Sequence, residues 1–359
     1  IKPEECLDYA DMVCIGEGEQ AMSELTDKMQ NKQYYYDIKG MGFNNKGKVI
    51  INANQELPGT KKSEFAHLDQ IPFQDYDYRS HFILDGENVV RMNKELLKDR
   101  WDYIYMTLPT RGCPFACTFC INNLYLDMHP HQKPIRKRSV DNVIMELQQA
   151  KDKIPFIRYI KFDDDAFFIM SLDEISDFSK KYKEHIRIPL IVTGATASTL
   201  TKEKLSLLVD AGLIEVRMGI QTAGTSTKKL YKRPHTNQQV ENAVRIIHSH
   251  KKVRGKYDII LDSPWDTDED TIETLMFLSK LPTPFQLTLY SLVFFPGTEL
   301  YRKAKKEGII KDDLNDIYRK EYGECKNTYF NNLFSLLNEY TIVGIGISPI
   351  IMFILTHKM

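Results

Sequence analysis

The sequence has no excess of charge of either sign: 48 Lys and Arg stand against 49 Asp and Glu, a net charge of −1. No chain-wide basic field is available to hold nucleic acid, and no nucleic-acid partner is expected. Cysteine is sparse, with six residues, three of them within the eight positions 113–120 and the others at Cys6, Cys14 and Cys325. A disulfide framework would be denser and more even, so a reducing compartment, the cytoplasm, is the expectation. Repeats of solenoid period and low-complexity tracts are lacking, and the acidic, polar opening does not read as a secretory leader. The chain opens on Ile1 rather than Met, so an upstream domain is expected to precede it. Long apolar runs are also scarce. The single candidate, Tyr340–Thr356, has 17 uncharged residues but contains Gly344, Gly346 and Pro349. That is short and broken for a membrane span; a buried terminal segment is the expectation, and membrane contact through 340–356 the alternative.

What is present is ordinary globular material: 42% hydrophobic and 27% charged residues, on a chain long enough for a large core. Six segments read as strands: Tyr103–Leu108, Ile157–Phe162, Ile188–Thr193, Ile214–Ile220, Tyr257–Leu261 and Gln286–Val293. Amphipathic helices lie between them. Ser139 is positioned to cap one, Ser171 and Glu174 form a capping-box pattern, Thr201 starts a helix that Gly212 ends, and an acidic turn at Thr267 opens another. Alternation of β and α points to a parallel sheet with right-handed crossovers, an open or partial barrel of six units. Ligands then belong at the carboxyl ends of the strands. Residues 1–75 read as a different unit ending in a linker, 76–310 as the βα domain, and 311–359 as a mixed helical extension.

The segment Thr110–Cys120 reads TRGCPFACTFC. Its thiols have the spacing C-x3-C-x2-C and follow the first strand directly. Thiolates are soft ligands suited to iron–sulfur clusters and zinc. Three on one loop can hold three irons of a four-iron cluster and leave the fourth open, and an open metal position usually serves chemistry. The alternative is a structural zinc site completed by His129 or His131, although zinc sites more often pair two close cysteines with a second, distant pair.

This loop, with Phe119 just before its last cysteine and Arg111-Gly112 ahead of it, resembles the signature of the radical S-adenosylmethionine superfamily. The resemblance extends over roughly residues 75–310 and implies a partial (β/α)6 barrel, an α/β fold. It implies a [4Fe–4S] cluster on Cys113, Cys117 and Cys120. In that family S-adenosylmethionine binds the open iron and is reductively cleaved, and the 5′-deoxyadenosyl radical so formed abstracts hydrogen from a small-molecule substrate. An electron donor such as flavodoxin or ferredoxin is implied with it. An electron-transfer protein without a substrate pocket and a zinc-stapled interaction module are the other function classes.

Further correspondences follow the strands. Phe162-Asp163-Asp164-Asp165-Ala166-Phe167 stands where the family contacts the ammonium group of S-adenosylmethionine. Asp164 and Asp165 are the candidates, Asp163 less so, against a solvated turn capping the next helix. Met218-Gly219-Ile220-Gln221-Thr222, running on through Leu230 to Arg233, resembles the family's Gly-Ile-Glu-Ser stretch. Gln221 is there a candidate for a cofactor bond or a plain solvent-facing amide. Thr193 and Thr196 are candidates after the third strand. Asp262 stands where the family usually has Gly, and Asp tolerates positive φ better than most residues. The basic run Lys133–Arg138 is expected to be a solvated face. Finally, Asp11–Glu19 and Leu68–Phe73 resemble the end and linker of a cobalamin-binding domain. That implies cobalamin, with methyl transfer or rearrangement, although the Asp-x-His-x-x-Gly motif is not in this chain.

Overall fold

The computed structural model describes residues 2–100, 103–131 and 135–357. Its contacts divide the chain into two compact units. One takes residues up to Pro72, Gly112–Arg138 and Val293–Lys320; the other takes Phe73–Arg111, Ser139–Leu292 and the residues from Glu321 on. The cysteine loop therefore groups with the amino-terminal segment, and the helical extension groups with the sheet.

The second unit is built on a six-stranded sheet: β1 (Ile104–Thr107), β2 (Tyr159–Phe162), β3 (Leu190–Ala195), β4 (Leu213–Gln221), β5 (Arg254–Leu261) and β6 (Gln286–Ser291). The order is β6-β5-β4-β3-β2-β1 and every pairing is parallel. Sequential strands lie side by side because each crossover carries helix: α1 (Val140–Lys153), α2 (Leu172–His185), α3 (Lys202–Ala211), α4 (Asn237–Ser249) and α5 (Asp268–Ser279). The helix starts follow their caps. Ser139 accepts from Asn142 N, Ser171 and Glu174 close a full capping box, Thr201 accepts from Lys204 N, and Thr267 accepts from Asp270 N. Gly212 ends α3 at φ +116°, a conformation glycine adopts without penalty.

Alternation fixes the two faces of the sheet. Tyr105, Ile160, Phe162, Leu190, Val192, Val216, Met218, Tyr257, Ile259 and Leu287 are buried in one core with Leu147, Phe178, Leu208, Val244 and Leu275 of the helices. Intervening positions such as Lys161, Glu215, Arg217, Lys256 and Asp258 stay partly exposed on the opposite face.

The uncharged terminal run is not wholly buried as expected. It is split between α6 (Tyr329–Ile342) and α7 (Pro349–Thr356). Leu337, Thr341, Met352 and Thr356 pack inward, while Val343, Ile345, Ile350, Ile351 and Phe353 are more than half exposed. The glycines at 344 and 346 interrupt the helix, so each short piece can bury one stripe only. Among the described residues no helix is long and apolar enough to cross a membrane.

The first unit holds a three-stranded antiparallel sheet, Met12–Cys14, Met41–Asn45 and Lys48–Ile51, with helix Glu19–Gln30. The solvated face expected at Lys133–Arg138 is corrected at Arg136; Lys133 and Pro134 lie outside the described residues. Arg136 is 5% exposed, bonds Glu17 Oε2 at 2.8 Å and Pro58 O at 2.7 Å, and pairs with Glu17 Oε1 at 2.5 Å. A planar guanidinium can satisfy a carboxylate and a carbonyl together, which makes its burial tolerable.

Candidate active site

The carboxyl end of β2 runs into the acidic triplet, and the three aspartates have different fates. Asp164 is 3% exposed. Its carboxylate accepts from Thr110 N at 2.8 Å, Thr110 Oγ1 at 2.7 Å and Ala166 N at 2.8 Å. Burial pushes its pKa up to about 6, against the opposing pull of these donors. Asp164 is thus occupied by its own chain and positions Thr110, three residues ahead of Cys113. Asp163 and Asp165 are exposed. Asp163 pairs with Lys161 at 2.9 Å.

Thr193 is buried beside the same loop. Its hydroxyl lies 3.0 Å from Asp164 O, 3.2 Å from Phe162 O and 3.4 Å from Asp163 Oδ1. The next residue, Gly194, has φ +70°, and a Cβ there would sit 2.1 Å from Asp164 O. Only glycine permits that approach of backbone to backbone. Thr196 turns away to Thr199, 2.8 Å between hydroxyls.

At the end of β4, Gln221 has φ +70° and lies at a register shift in the pairing with β5. Arg233 Nη2 donates to Gly219 O at 2.6 Å, so the arginine read with this stretch secures the strand end. Asp262, just past β5, does take positive φ, +63°. Its carboxylate accepts from Lys326 N at 3.0 Å and Asn331 Nδ2 at 2.8 Å, both from the helical extension. A small cavity of about 140 Å³ lies here, lined by Thr222, Asp262, Ser263, Asp266 and Asn331 among others.

The structure brings Thr110, Asp164, Thr193 and Gly194 together at one edge of the strand ends. Sequence reading missed Thr110 and Gly194 as members of that group. The one signal was a glycine inside a β-branched strand segment.

The cysteine loop belongs to the first unit. Cys117 is 5% exposed, while Cys113 and Cys120 are half-buried. Cys120 N donates to Cys117 O at 3.1 Å, and Cys120 leads into the helix Ile121–Met128. Phe119 is half-buried. Among the described residues no three His, Cys, Asp or Glu side chains stand close enough together to hold a metal ion, so the three sulfurs are not gathered into a trio. The donor set fits a cluster by its chemistry: three thiols within the eight positions 113–120, one buried and two half-buried. His129 and His131, the candidates for a zinc alternative, line instead a cavity of about 610 Å³ with His67, whose wall contains none of the three cysteines.

Residues 107–278 match the model of the Radical SAM superfamily. The chain carries a radical SAM domain. Members of this superfamily use a [4Fe–4S] cluster and S-adenosylmethionine. Among curated proteins, the chain is 26% identical over 295 residues to an uncharacterized methyltransferase of Pyrococcus horikoshii, covering 82% of this chain and 58% of the relative. It is 22% identical over 325 residues to bacteriochlorophyllide d C-8(2)-methyltransferase of Chlorobaculum tepidum, covering 86% and 61%. The chain thus spans about three-fifths of the length of these relatives. Among solved structures, the radical S-adenosylmethionine methyltransferase TsrM of Kitasatospora setae superposes with a TM-score of 0.61 at 17% identity, over 83% of this chain and 54% of that one. The cobalamin-dependent S-adenosylmethionine radical enzyme OxsB gives 0.56 at 18% identity, over 85% and 41%. These structural likenesses speak to the fold, which is that of the radical SAM partial barrel.

Proposed function

We propose that this chain is the catalytic portion of a radical S-adenosylmethionine enzyme acting on a small molecule in the cytoplasm, with Cys113, Cys117 and Cys120 holding a [4Fe–4S] cluster. The observation that carries the reading is the C-x3-C-x2-C loop within a radical SAM domain, following a strand whose exit at Thr110 is clamped by Asp164. When bound, the cluster supplies one electron for reductive cleavage of S-adenosylmethionine. The chain's own residues position and shield. Asp164 and Thr193 fix the loop after β2, exposed Asp165 is the candidate for the cofactor's ammonium group, and Gln221 is the candidate at the end of β4. Electrons come from a small donor protein of the flavodoxin or ferredoxin type.

Anaerobic reconstitution tests this. Broad visible absorbance bleached by dithionite, with 5′-deoxyadenosine formed from S-adenosylmethionine, is the expected result. A colourless protein that binds zinc, or a coloured one that never cleaves the cofactor, would overturn it.

A second reading is favoured by the similarity to two curated methyltransferases and to the cobalamin-dependent OxsB fold. In it the whole protein also uses cobalamin, for methyl transfer to carbon or for rearrangement. Titration of the complete gene product with hydroxocobalamin checks it; no binding there removes the methyl-transfer reading and leaves the radical chemistry.

A further inference from the structure

The open face of the sheet is charged where a buried barrel layer is usually branched and apolar. Counted by twos, β4 presents Glu215, Arg217, Gly219 and Gln221 on this face, β5 presents Lys256 and Asp258, β6 presents Tyr290, and β2 presents Lys161. Most of these charges are paired. Lys256 meets Glu215 at 3.1 Å, and Lys161 meets Asp163 at 2.9 Å.

Arg217 is also paired, with Asp258, but it is held by a second partner and keeps one nitrogen open. Its Nε donates to both oxygens of Asp258, at 2.8 and 3.0 Å, and its Nη2 donates to the hydroxyl of Tyr290. In register, Gly219 faces Asp258 and Ile260 faces Tyr290, so the three side chains climb diagonally toward the carboxyl end of the sheet. The guanidinium is gripped on two sides and cannot swing. Among the described residues its Nη1 donates to no protein atom, yet it is not among the buried unsatisfied nitrogens. It is therefore open to the space over the sheet. Lys161 stands on the same face and acts on Asp258, opposing the rise in that carboxyl's pKa that burial causes.

A rigid guanidinium with one free N–H edge is a device for an anion. Most of its ordering is done before the ligand arrives, which lowers the entropic penalty of binding. We infer that the substrate carries a carboxylate or a phosphate, and that Arg217 anchors that group on the open face of the sheet. The inference rests on the reading of this face as the substrate side of a radical enzyme. Arg217 is thereby a specificity residue, and Asp258 and Tyr290 are positioning residues that hold it.

Calorimetric titration of the whole chain with inorganic phosphate and with succinate, at low ionic strength and without the cluster, tests this and tells the two sources apart. One of the probes should bind the wild type. Arg217→Met should weaken that binding at least tenfold, and Arg217→Lys should restore only part of the loss. Tyr290→Phe should weaken it several-fold by freeing Nη2, which keeps the inference testable if Arg217→Met fails to fold. Neither probe binding, or equal binding in wild type and folded variants, would overturn it. So would a matching loss of S-adenosylmethionine affinity in reconstituted Arg217→Met, because the guanidinium would then serve the cofactor. Absence of cofactor cleavage in the wild type is a separate result that sinks the radical reading and leaves the probe titrations standing.

Discussion

Thr110 gives both its backbone N–H and its hydroxyl to the carboxylate of Asp164, at 2.8 and 2.7 Å, across 54 positions of sequence. This contact ties the exit of β1 to the exit of β2. It turns the middle aspartate of an acidic triplet into a brace.

Asp164→Ala should therefore destabilise the fold. It strands the N–H groups of Thr110 and Ala166, and losing such partners in a buried place costs about 2–4 kcal/mol in total. The pH dependence has a fixed sign. The carboxyl's folded pKa, about 6, lies above its usual 3.8. The folded state thus holds the proton more tightly, and the stability this provides is full below about pH 4 and lost as pH rises to about 6. Urea melts of wild type and variant should show their gap largest at about pH 4 and smaller, but still positive, at neutral pH. A gap that widens on going from pH 4 to 7 would contradict this account.

Gly194→Ala should be worse. The new Cβ would lie 2.1 Å from Asp164 O on a backbone held at φ +70°. Both the strain and the clash fall on backbone, which has no rotamer to escape into. The expected loss is about 3 kcal/mol or more, measured by the same melts. A loss below 1 kcal/mol would mean that the loop after β2 yields easily.

Asp262 offers a pair of variants that separates strain from bonding. Asp262→Gly keeps the positive φ and loses the bonds to Lys326 and Asn331; Asp262→Ala loses the bonds and adds strain. Alanine should be the less stable of the two by about 1–2 kcal/mol, the usual penalty for a non-glycine residue in the left-handed region. Equal melting midpoints would place the whole effect in the hydrogen bonds.

These residues also mark what the sequence could and could not reveal. All six strands, the caps at Ser139 and Ser171 and the helix starts at Thr201 and Thr267 are legible in the sequence, because period and capping are local properties. Asp262 was legible as a departure from a glycine position, and it does adopt the left-handed backbone. The roles of Asp164 and Arg217 were not. Which of three neighbouring aspartates turns inward depends on Thr110, a partner 54 residues away. Arg217 falls in a segment that reads as an apolar strand, although charge at every second position is the mark of a two-faced sheet. Arg136 sits in a basic run that reads as solvated, and only the fold brings Glu17 and Pro58 to it.

The six cysteines divide into two sets of three. Each of Cys113, Cys117 and Cys120 should be required for iron, and none of Cys6, Cys14 and Cys325. Metal binding needs the thiolate. Burial pushes the Cys14 thiol up, and burial together with the charge of Asp262 does the same to Cys325, so both stay protonated at neutral pH. Cys6 is exposed at the end of a four-residue helix, and neither it nor Cys14 repeats the C-x3-C-x2-C spacing. The loop cysteines lie within eight positions of one segment, Cys117 buried and Cys113 and Cys120 half-buried, and thiolates are the ligands an iron–sulfur cluster takes. After anaerobic reconstitution, single Ala variants at 113, 117 or 120 should lose most of their iron and sulfide. Ser variants at 6, 14 and 325 should match the wild type in both content and spectrum. Circular dichroism of the triple Ala variant should stay close to wild type, because the three thiols lie on a loop outside the sheet core. Stoichiometric iron in the triple variant would move the cluster elsewhere. Loss of the spectrum on changing Cys14 or Cys325 would show that the structure's protonated thiols are recruited after all.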